Sequence, residues 1–424
     1  MSVKEQNWKK TFGIIWAGQF MSLMSSSLVN FAIIIWLSIE TGSAEVLAYA
    51  AIAGLLPQSI IGLFAGVYID RWDRKKTMIF ADAFIAICTL MIAALFHYGT
   101  VEFWYIYILL ALRSVGSAFH MPAMQASIPM LAPKSELLRV AGINQVIQSA
   151  SNIAGPALGA LAIGLMDIGY VMLIDIAGAL FAIVSLLFVK IPNPEKSEQS
   201  DKGLKQVIRE IKAGVQTVTS HRGLALLFLF SILVTFCIMP VAVLFPLLTL
   251  NHFEGNAFQM SIVEAIWGVG MLLGGAVLGA LNLKSNNVTM INWTYIILGL
   301  AFSASGLLPS WAFWIFVVLT ALSGIAASVY NACFTAIIQS KIDPAALGRV
   351  FSMFFSLSIL PSLVGLMGTG FLADNIGINN TFLILGLVII VIGIIAFLTP
   401  EMTRLGVNAN EKPLITEEDI IQEE

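Results

Sequence analysis

Charged side chains are scarce in this chain of 424 residues. Lysine, arginine, aspartate and glutamate make up 11% of it, and hydrophobic residues make up 58%. Soluble domains carry about 25% charged residues, and a soluble chain this apolar could not cover its surface with polar groups. The composition therefore excludes a soluble enzyme and points to a chain that lies in a lipid bilayer.

Several kinds of functional site are lacking as well. The three cysteines all fall in apolar stretches and the four histidines are scattered, which argues against a disulfide framework, a metal site or a nucleophile–base pair. The sequence contains no G-x-x-x-x-G-K-[ST] loop for a nucleotide. A net charge of −3 without a large basic cluster argues against a nucleic-acid partner. We therefore expect neither catalysis nor an organic cofactor.

Long apolar runs are what the sequence has in abundance. Twelve of them are long enough to cross a bilayer as helices, and they lack the alternating pattern of barrel strands. The predicted fold is therefore an all-α integral membrane protein with twelve transmembrane helices. The predicted spans are 12–39, 46–68, 77–96, 103–130, 141–166, 171–189, 224–250, 258–282, 288–308, 312–338, 350–373 and 381–399.

Basic residues lie almost entirely on one side of these spans. With an even number of spans both termini share a side, and that side receives 21 of the 22 lysines and arginines. The remaining one, Arg113, lies inside the fourth span. The positive-inside rule therefore places both termini in the cytoplasm.

A polar stretch divides the spans into two groups of six. Sequence elements recur on both sides of it: Gly155 matches Gly365, and Arg139 matches Arg349, at the same offset of 210. Two six-helix halves are the architecture of transporters whose site lies between the halves. The predicted domains are an N-terminal bundle at 1–189, a cytoplasmic linker at 190–223, a C-terminal bundle at 224–400 and an acidic cytoplasmic tail at 401–424.

The loop after the second span combines a glycine, a carboxylate and four cations. They are Gly66, Asp70, Arg71, Arg74, Lys75 and Lys76. This spacing resembles the G-x-x-x-D-R-x-x-R-[RK]-[RK] signature of the major facilitator superfamily, although Asp73 stands where that family often has glycine. The resemblance implies two pseudo-symmetric six-helix bundles, and a latch in which the carboxylate and the cations join neighbouring helix ends in the cytoplasm. The alternative is a basic loop that only sets the topology.

The fifth span contains Gly155, Pro156 and Gly159, which resemble the G-P-x-x-G element of drug/proton antiporters in that superfamily. The proline removes a backbone donor and kinks a helix, and the glycines allow close helix packing. The alternative is an ordinary packing site of small residues. Further segments, including residues 15–19 and 41–44, resemble the macrolide-efflux branch, and this resemblance runs from about residue 7 to 399.

The resemblance implies a secondary active exporter that moves lipophilic drugs, macrolides first, by alternating access. Protons would be the coupling ions, the protein would be a monomer, and its place would be the bacterial cytoplasmic membrane. Export of a siderophore or another drug is an open alternative, and so is a transporter-like sensor that binds without transport. A separate ATPase partner is also left open.

Ionisable residues inside the spans are the candidates for proton coupling. Arg113, Asp175 and Glu264 are costly to bury in lipid, so they are expected to have a function, and Glu264 is the favoured carrier of the proton. The alternatives are a role in helix packing for Asp175 and, for Glu264, a carboxylate that reaches water at the end of its span. Arg113 is expected to face the cavity between the halves and to have an acidic or carbonyl partner, and a purely structural ion pair is its alternative. Asp82, near the cytoplasmic end of the third span, is a further buried carboxylate, and its alternative is a pairing with the basic cluster at Arg74–Lys76.

Uncharged polar and aromatic residues inside the spans are candidates for a substrate cavity, although helix packing explains most such residues in membranes. His120 is a candidate proton relay, with plain packing as the alternative. The candidate cavity residues are Gln19, Asn30, Phe119, Gln145, Gln148, Trp267 and Tyr330.

Overall fold

The computed structural model describes most of the chain in a few long ranges. Asp70 and Arg71, most of the predicted linker, and the predicted tail beyond residue 405 lie outside the described residues. The described residues are 3–69, 72–131, 137–191, 212, 215–216, 218–280, 286–342 and 347–405.

Twelve long helices occupy the described residues, one for each predicted span. They are α1 (Val3–Thr41), α2 (Ala44–Ile69), α3 (Arg74–Tyr98), α4 (Phe103–Leu131), α5 (Leu137–Leu165), α6 (Ile168–Leu187), α7 (Arg222–Asn251), α8 (Ala257–Ala280), α9 (Asn287–Leu307), α10 (Phe313–Lys341), α11 (Leu347–Ile376) and α12 (Ile378–Phe397). A 3-10 turn (Ser310–Ala312) precedes α10, and a short helix α13 (Pro400–Arg404) follows α12. The all-helical membrane fold predicted from the sequence is confirmed.

The long helices suit a membrane because they are apolar and satisfy their own backbone hydrogen bonds. Eleven of the described helices are long and apolar enough to cross a bilayer, and α5 contributes a shorter apolar stretch, Ala150–Leu165. Helix α1 begins at Val3 and not at the predicted residue 12, because a helix can continue into the polar residues before the apolar run.

Local chemistry explains where α3 starts and stops. The Asp73 carboxylate accepts a hydrogen bond from the Lys76 N–H and so caps the first turn. At the other end Gly99 has a φ of 67°, a left-handed conformation that favours glycine. Asp73, the departure from the family pattern, thus has a structural role as a helix cap.

The chain divides into two compact units. Unit 1 comprises Met1–Gly42, Tyr49–Gly203 and Asn256–Ala265, and unit 2 comprises Ser43–Ala48, Leu204–Gly255 and Ile266–Glu424. In unit 1, helix α1 packs against α5 and α6, and α3 packs against α4 and α6. In unit 2, α7 packs against α11 and α12, and α9 packs against α10 and α12. If six is added to each helix number, the packing pairs of unit 1 become the packing pairs of unit 2. The weak sequence repeat therefore corresponds to a repeat in helix packing.

The matching glycines of the two halves show the same correspondence. A Cβ at Gly155 of α5 would collide with Ser27 of α1, and a Cβ at Gly365 of α11 would lie 2.5 Å from the Phe236 ring of α7. In each unit, the fifth helix of the half therefore approaches the first helix closely at a glycine, where a larger residue would require its neighbour to shift.

Candidate functional site

An ion pair lies in the interior of unit 1. The Arg113 guanidinium of α4 lies 2.6 Å from the Asp175 carboxylate of α6, and the two residues are 5% and 1% exposed. Arg113 is ten residues into α4 and Asp175 seven into α6, which places both well within the helices. The acidic partner expected for Arg113 is therefore Asp175.

Hydroxyl groups from two other helices complete the surroundings of Asp175. One carboxylate oxygen accepts from the Ser26 hydroxyl at 2.6 Å and from Ser25 at 3.5 Å. The other lies 2.8 Å from the Thr89 hydroxyl, which also accepts a hydrogen bond from Arg113. Both oxygens of this buried carboxylate are thus hydrogen-bonded, as a buried charge requires.

The described contacts of Arg113 lie within unit 1. Its side chain is buried in unit 1, because Asp175 and Thr89 supply partners within the bundle itself. The guanidinium also donates to the side-chain oxygen of Asn30, at 3.3 Å, and Asn30 is exposed. A chain of hydrogen bonds therefore leads from the buried pair to the surface of unit 1.

A second pair of buried ionisable side chains lies between α3 and α4. The His120 Nε2 of α4 lies 3.3 Å from the Asp82 carboxylate of α3, and both side chains are buried. The Ser22 hydroxyl of α1 donates to the same Asp82 oxygen at 3.5 Å. Asp82 points to α4 and α1, so the alternative pairing with the basic residues at the start of its own helix is not among its described contacts.

Glu264 has a different environment from Asp175. It lies seven residues into α8 and is half-buried. It has neither a hydrogen bond nor an ion pair with any residue that the structure describes. This carboxyl group can therefore gain or lose a proton without breaking a contact in the described part of the chain.

The predicted cavity residues do not form one group. Gln19 is 1% exposed, and its amide nitrogen and oxygen have no partner among the described residues. Trp267 lies 5.7 Å from Phe245 between ring centroids, and Tyr330 lies 5.7 Å from Tyr295, so both belong to aromatic clusters of unit 2. The side chains of Gln145 and Gln148 lie outside the described part of α5.

Phe119 belongs to a surface cavity between α3 and α4. The cavity has a volume of about 640 Å³ and is lined largely by aromatic and small residues. Phe119 stacks on Trp72 there, with ring centroids 5.8 Å apart, and Phe80 beside it is largely exposed. This cavity is thus separate from the two buried ion pairs.

Among the predicted latch residues, the structure describes the side chains of Arg74, Lys75 and Lys76. The Lys75 ammonium donates to the carbonyl oxygens of Val189 and Leu187, at 2.7 and 3.3 Å, at the end of α6. A cation is favourable at the carbonyl end of a helix. Arg74 is buried and Lys76 is exposed. Gly66 lies in α2, and Asp70 and Arg71 lie outside the described residues.

The glycines of the fifth span bring α5 close to α1. A Cβ at Gly159 would lie 2.7 Å from the Leu28 carbonyl oxygen, too close for any side chain. Helix α5 runs from Leu137 to Leu165 with Pro156 inside it. The close helix packing predicted for these glycines is confirmed.

The serines of α1 are the residues that the sequence reasoning missed. Ser22, Ser25 and Ser26 supply hydroxyl groups to the two buried carboxylates. Their signal in the sequence is a cluster of small polar residues, SLMSSS, within an otherwise apolar span. Such clusters usually serve helix packing, so the pattern alone does not show the carboxylates that they contact.

Comparison with known proteins extends these observations to the whole chain. The sequence profile of the Major Facilitator Superfamily matches residues 15–311 and 224–420. Macrolide efflux protein A of Streptococcus pyogenes is 38% identical over 403 residues, which cover 95% of this chain and 99% of that protein. Multidrug efflux pump Tap of Mycobacterium bovis is 26% identical over 401 residues, which cover 91% and 93%.

A solved structure shows the same fold at low sequence identity. A POT family transporter in complex with 5-aminolevulinic acid has a TM-score of 0.73 and 12% identity, and the match covers 93% of this chain and 97% of that chain. At this level of identity the similarity concerns the arrangement of helices.

Proposed function

Since the chain belongs to the major facilitator superfamily, we propose that it is a proton-coupled exporter of lipophilic drugs, macrolides first among them. It is a multi-pass membrane protein with the fold of a transporter. The observation that carries the proposal is the similarity to a macrolide efflux protein along nearly the whole chain. The similarity to a multidrug pump supports drug export in a broader sense.

The proton-coupling residues that we propose are Glu264, Asp175 and Arg113. Protonation of Asp175 would remove the charge that holds Arg113 and so change the contacts between α4 and α6. A proton can shift a conformational equilibrium only through such a difference in contacts between two states. Glu264 lacks partners in the described residues, so its proton would act through charge alone.

The remaining assignments follow the family. We propose that both termini lie in the cytoplasm, that the protein resides in the bacterial cytoplasmic membrane as a monomer, and that protons are the coupling ions, with no cofactor. The latch of Asp70, Arg71 and Arg74 would restrain the cytoplasmic ends of neighbouring helices. The substrate would be a lipophilic small molecule, and α2 and the glycines of α5 would move with the change of facing state.

Counterflow in proteoliposomes tests the transport part of this proposal. Vesicles that contain the purified chain alone are loaded with unlabelled macrolide and diluted into a trace of labelled macrolide. We expect transient accumulation of label above that in protein-free vesicles. Binding of macrolide without counterflow would favour the sensor alternative, and counterflow only with a siderophore or another drug would correct the substrate. A requirement for added ATPase would contradict autonomous export.

A further inference from the structure

The Arg113–Asp175 ion pair and the Asp82–His120 pair of unit 1 form two layers of one column. On α3, Asp82 and Thr89 are seven residues apart, and on α4, so are His120 and Arg113. Seven residues of helix correspond to two turns and about 10 Å. The Asp82–His120 pair therefore lies one layer nearer to the start of α3 than the Arg113–Asp175 pair, on the same helix faces.

Helix α1 links the two layers through hydroxyl groups. The Ser22 hydroxyl contacts Asp82 at 3.5 Å, and one turn later the Ser25 and Ser26 hydroxyls contact Asp175. The Ser25 hydroxyl also lies 3.0 Å from the Ser22 carbonyl oxygen. A hydroxyl group can donate and accept at once, so these serines are suited to pass a proton between the layers when they reorient.

The layer that contains Asp82 and His120, called the inner layer below, has polar atoms without a hydrogen-bond partner among the described residues. One Asp82 oxygen has no hydrogen-bond partner among the described residues. Gln19 lies one turn from Ser22 on α1, and its amide nitrogen and oxygen also have no hydrogen-bond partner among the described residues. A buried polar group without a partner costs free energy. The Asp82 oxygen and the Gln19 amide are therefore groups of this layer that can accept or donate a further hydrogen bond.

An apolar cluster closes the column toward the end at which α3 begins. Met78 lies one turn before Asp82 on α3, and Met124 lies one turn after His120 on α4. Both are buried in a cluster that also contains Phe12, Trp16 and Leu186. Exchange of a proton between the inner layer and that end of the bundle would therefore require a change in this cluster.

No further charged group is described beside His120. Helix α3 brings Asp82 to it, and α1 brings the uncharged Ser22. The other acid of the column, Asp175 of α6, is paired with Arg113. Helix α5 carries one charged residue, Arg139, whose side chain lies outside the described part. The charge of the inner layer is thus set by His120 and Asp82 together.

We propose that the Asp82–His120 pair is a second proton-binding site, joined to the Arg113–Asp175 site through the serines of α1. This inference rests on the proposed function, because it assigns the inner stage of the same proton path. His120 with a proton on both nitrogens pairs with the Asp82 carboxylate, and loss of the Nε2 proton leaves a neutral imidazole and a net negative layer. The proton passes to a water or a serine oxygen and is replaced from the other layer, so no other reactant is needed.

His120→Gln is the test variant, because glutamine keeps a hydrogen-bond donor and cannot carry a proton. His97→Gln, at the exposed end of α3, is the matched control. We expect macrolide counterflow to persist in both variants. Uptake driven by a pH gradient should fall roughly tenfold or more in His120→Gln alone, because a positioned proton carrier contributes at least that much to rate. Uptake driven by a pH gradient that is as fast in His120→Gln as in the wild type would overturn the proposal.

A second measurement is independent of any drug. Histidine labelled with ¹⁵N gives signals for four residues, and the His120 signal is the one that His120→Gln removes. We expect it to titrate, and its midpoint to move in Ser25→Ala, which breaks the link between the layers. A His120 signal that does not change over the pH range in which the protein is folded would overturn the proposal, even if macrolide export is confirmed.

If His120→Gln does not fold, the double variant Asp82→Asn/His120→Gln replaces it, because two amides can hydrogen-bond to each other without a buried charge. This variant should also keep counterflow and lose pH-driven uptake. Failure of counterflow in the wild type would count against the proposed function and leave the titration measurement to decide the second site.

Discussion

Asp175 and Glu264 present two different ways to bind a proton. Asp175 is held by Arg113 and by hydroxyl groups of α1 and α3, so protonation would break an ion pair and rearrange several side chains. Glu264 has no such contacts among the described residues, so protonation would change only its charge and solvation. In the proposed mechanism the first arrangement would couple a proton to helix contacts, and the second would couple it to the local electric field.

The variant Asp175→Asn should destabilise the protein strongly. It leaves Arg113 buried without its counter-charge, and removal of one partner of a buried pair costs about 3–5 kcal/mol. Thermal unfolding of the purified protein in detergent measures the loss. Asp167→Asn, at the exposed start of the same helix, is the control and should change stability by less than about 0.5 kcal/mol.

The double variant Asp175→Asn/Arg113→Gln should recover much of that stability, because it removes the uncompensated charge. Equal unfolding midpoints for Asp175→Asn and the wild type would show that the pair is not buried as described. Both variants should lose pH-driven transport if the pair takes part in coupling.

The variant Glu264→Gln should separate exchange from coupling. Glutamine imitates the protonated carboxyl group, so exchange of drug across the membrane can continue while net proton movement at this site stops. We expect counterflow near the wild-type rate and no uphill uptake in a pH gradient. Intact pH-driven uptake would remove Glu264 from the mechanism and leave Asp175 as the coupling acid.

Close approach of α5 to α1 is the feature of the helices that most constrains motion in unit 1. A Cβ at Gly159 would meet a backbone oxygen of α1, which cannot rotate away as a side chain can. A side chain larger than glycine at this position would therefore force the backbones of α5 and α1 apart. The sequence predicts this contact because a glycine inside a membrane span allows two helix backbones to approach closely.

Substitution of Gly159 by alanine should separate the two helices. Overpacking of a close contact costs about 1–3 kcal/mol, so the variant Gly159→Ala should unfold at a lower temperature and transport more slowly. Gly164→Ala on the same helix is the control, since nothing lies within 4 Å of its Cβ position. Equal losses in both variants would mean that glycine is needed for backbone reasons and not for the contact with α1.

The start of α2 is capped by a residue from α11, and both segments belong to unit 2. The Asp374 carboxylate accepts from the Ala44 and Glu45 N–H groups at 2.8 and 3.0 Å and from the Ser43 hydroxyl at 2.7 Å. A carboxylate is favourable at a helix N-terminus. The segment 41–44, noted for its resemblance to the family, thus serves as the binding partner of Asp374.

Loss of this cap should be measurable. Asp374→Ala should lower the stability by about 1 kcal/mol, as for other lost helix caps, and Asp374→Asn by less, because an amide oxygen still accepts. Asn375→Ala is the neighbouring control, since among the described residues its side chain donates to a carbonyl of its own helix and to no other group. A control variant as unstable as Asp374→Ala would show that the end of α11, and not the cap, determines the effect.

Helix positions in this chain are predictable from the sequence, and side-chain pairs are not. A span is a local pattern of apolar residues, so eleven helices begin within four residues of the predicted spans. The Asp82–His120 contact depends instead on how α3 and α4 are rotated about their axes, which no local pattern determines. For the same reason Arg113 could be expected to have an acidic partner, while Asp175 could not be singled out.

The topology of the whole molecule can be read by chemical labelling. Single cysteines placed in residues 99–102, 252–256 and 376–380 should react with a membrane-impermeant reagent added to intact cells, and cysteines at 72 or 200 should not. The basis is the position of nearly all basic residues on the other side. Reaction at 72 or 200 with protection of the first three sites would reverse the orientation and contradict the assignment of a cytoplasmic latch.

Uptake of a labelled macrolide into proteoliposomes with an acidic lumen tests proton-coupled export most directly. Protons that leave the lumen through the purified chain should drive macrolide inward without ATP, and a protonophore should abolish the effect. Protein-free vesicles are the control, because a macrolide that bears an amine also accumulates passively in an acidic lumen. We predict accumulation well above that control. Counterflow without any such excess would show that the chain moves macrolides but does not couple their movement to protons.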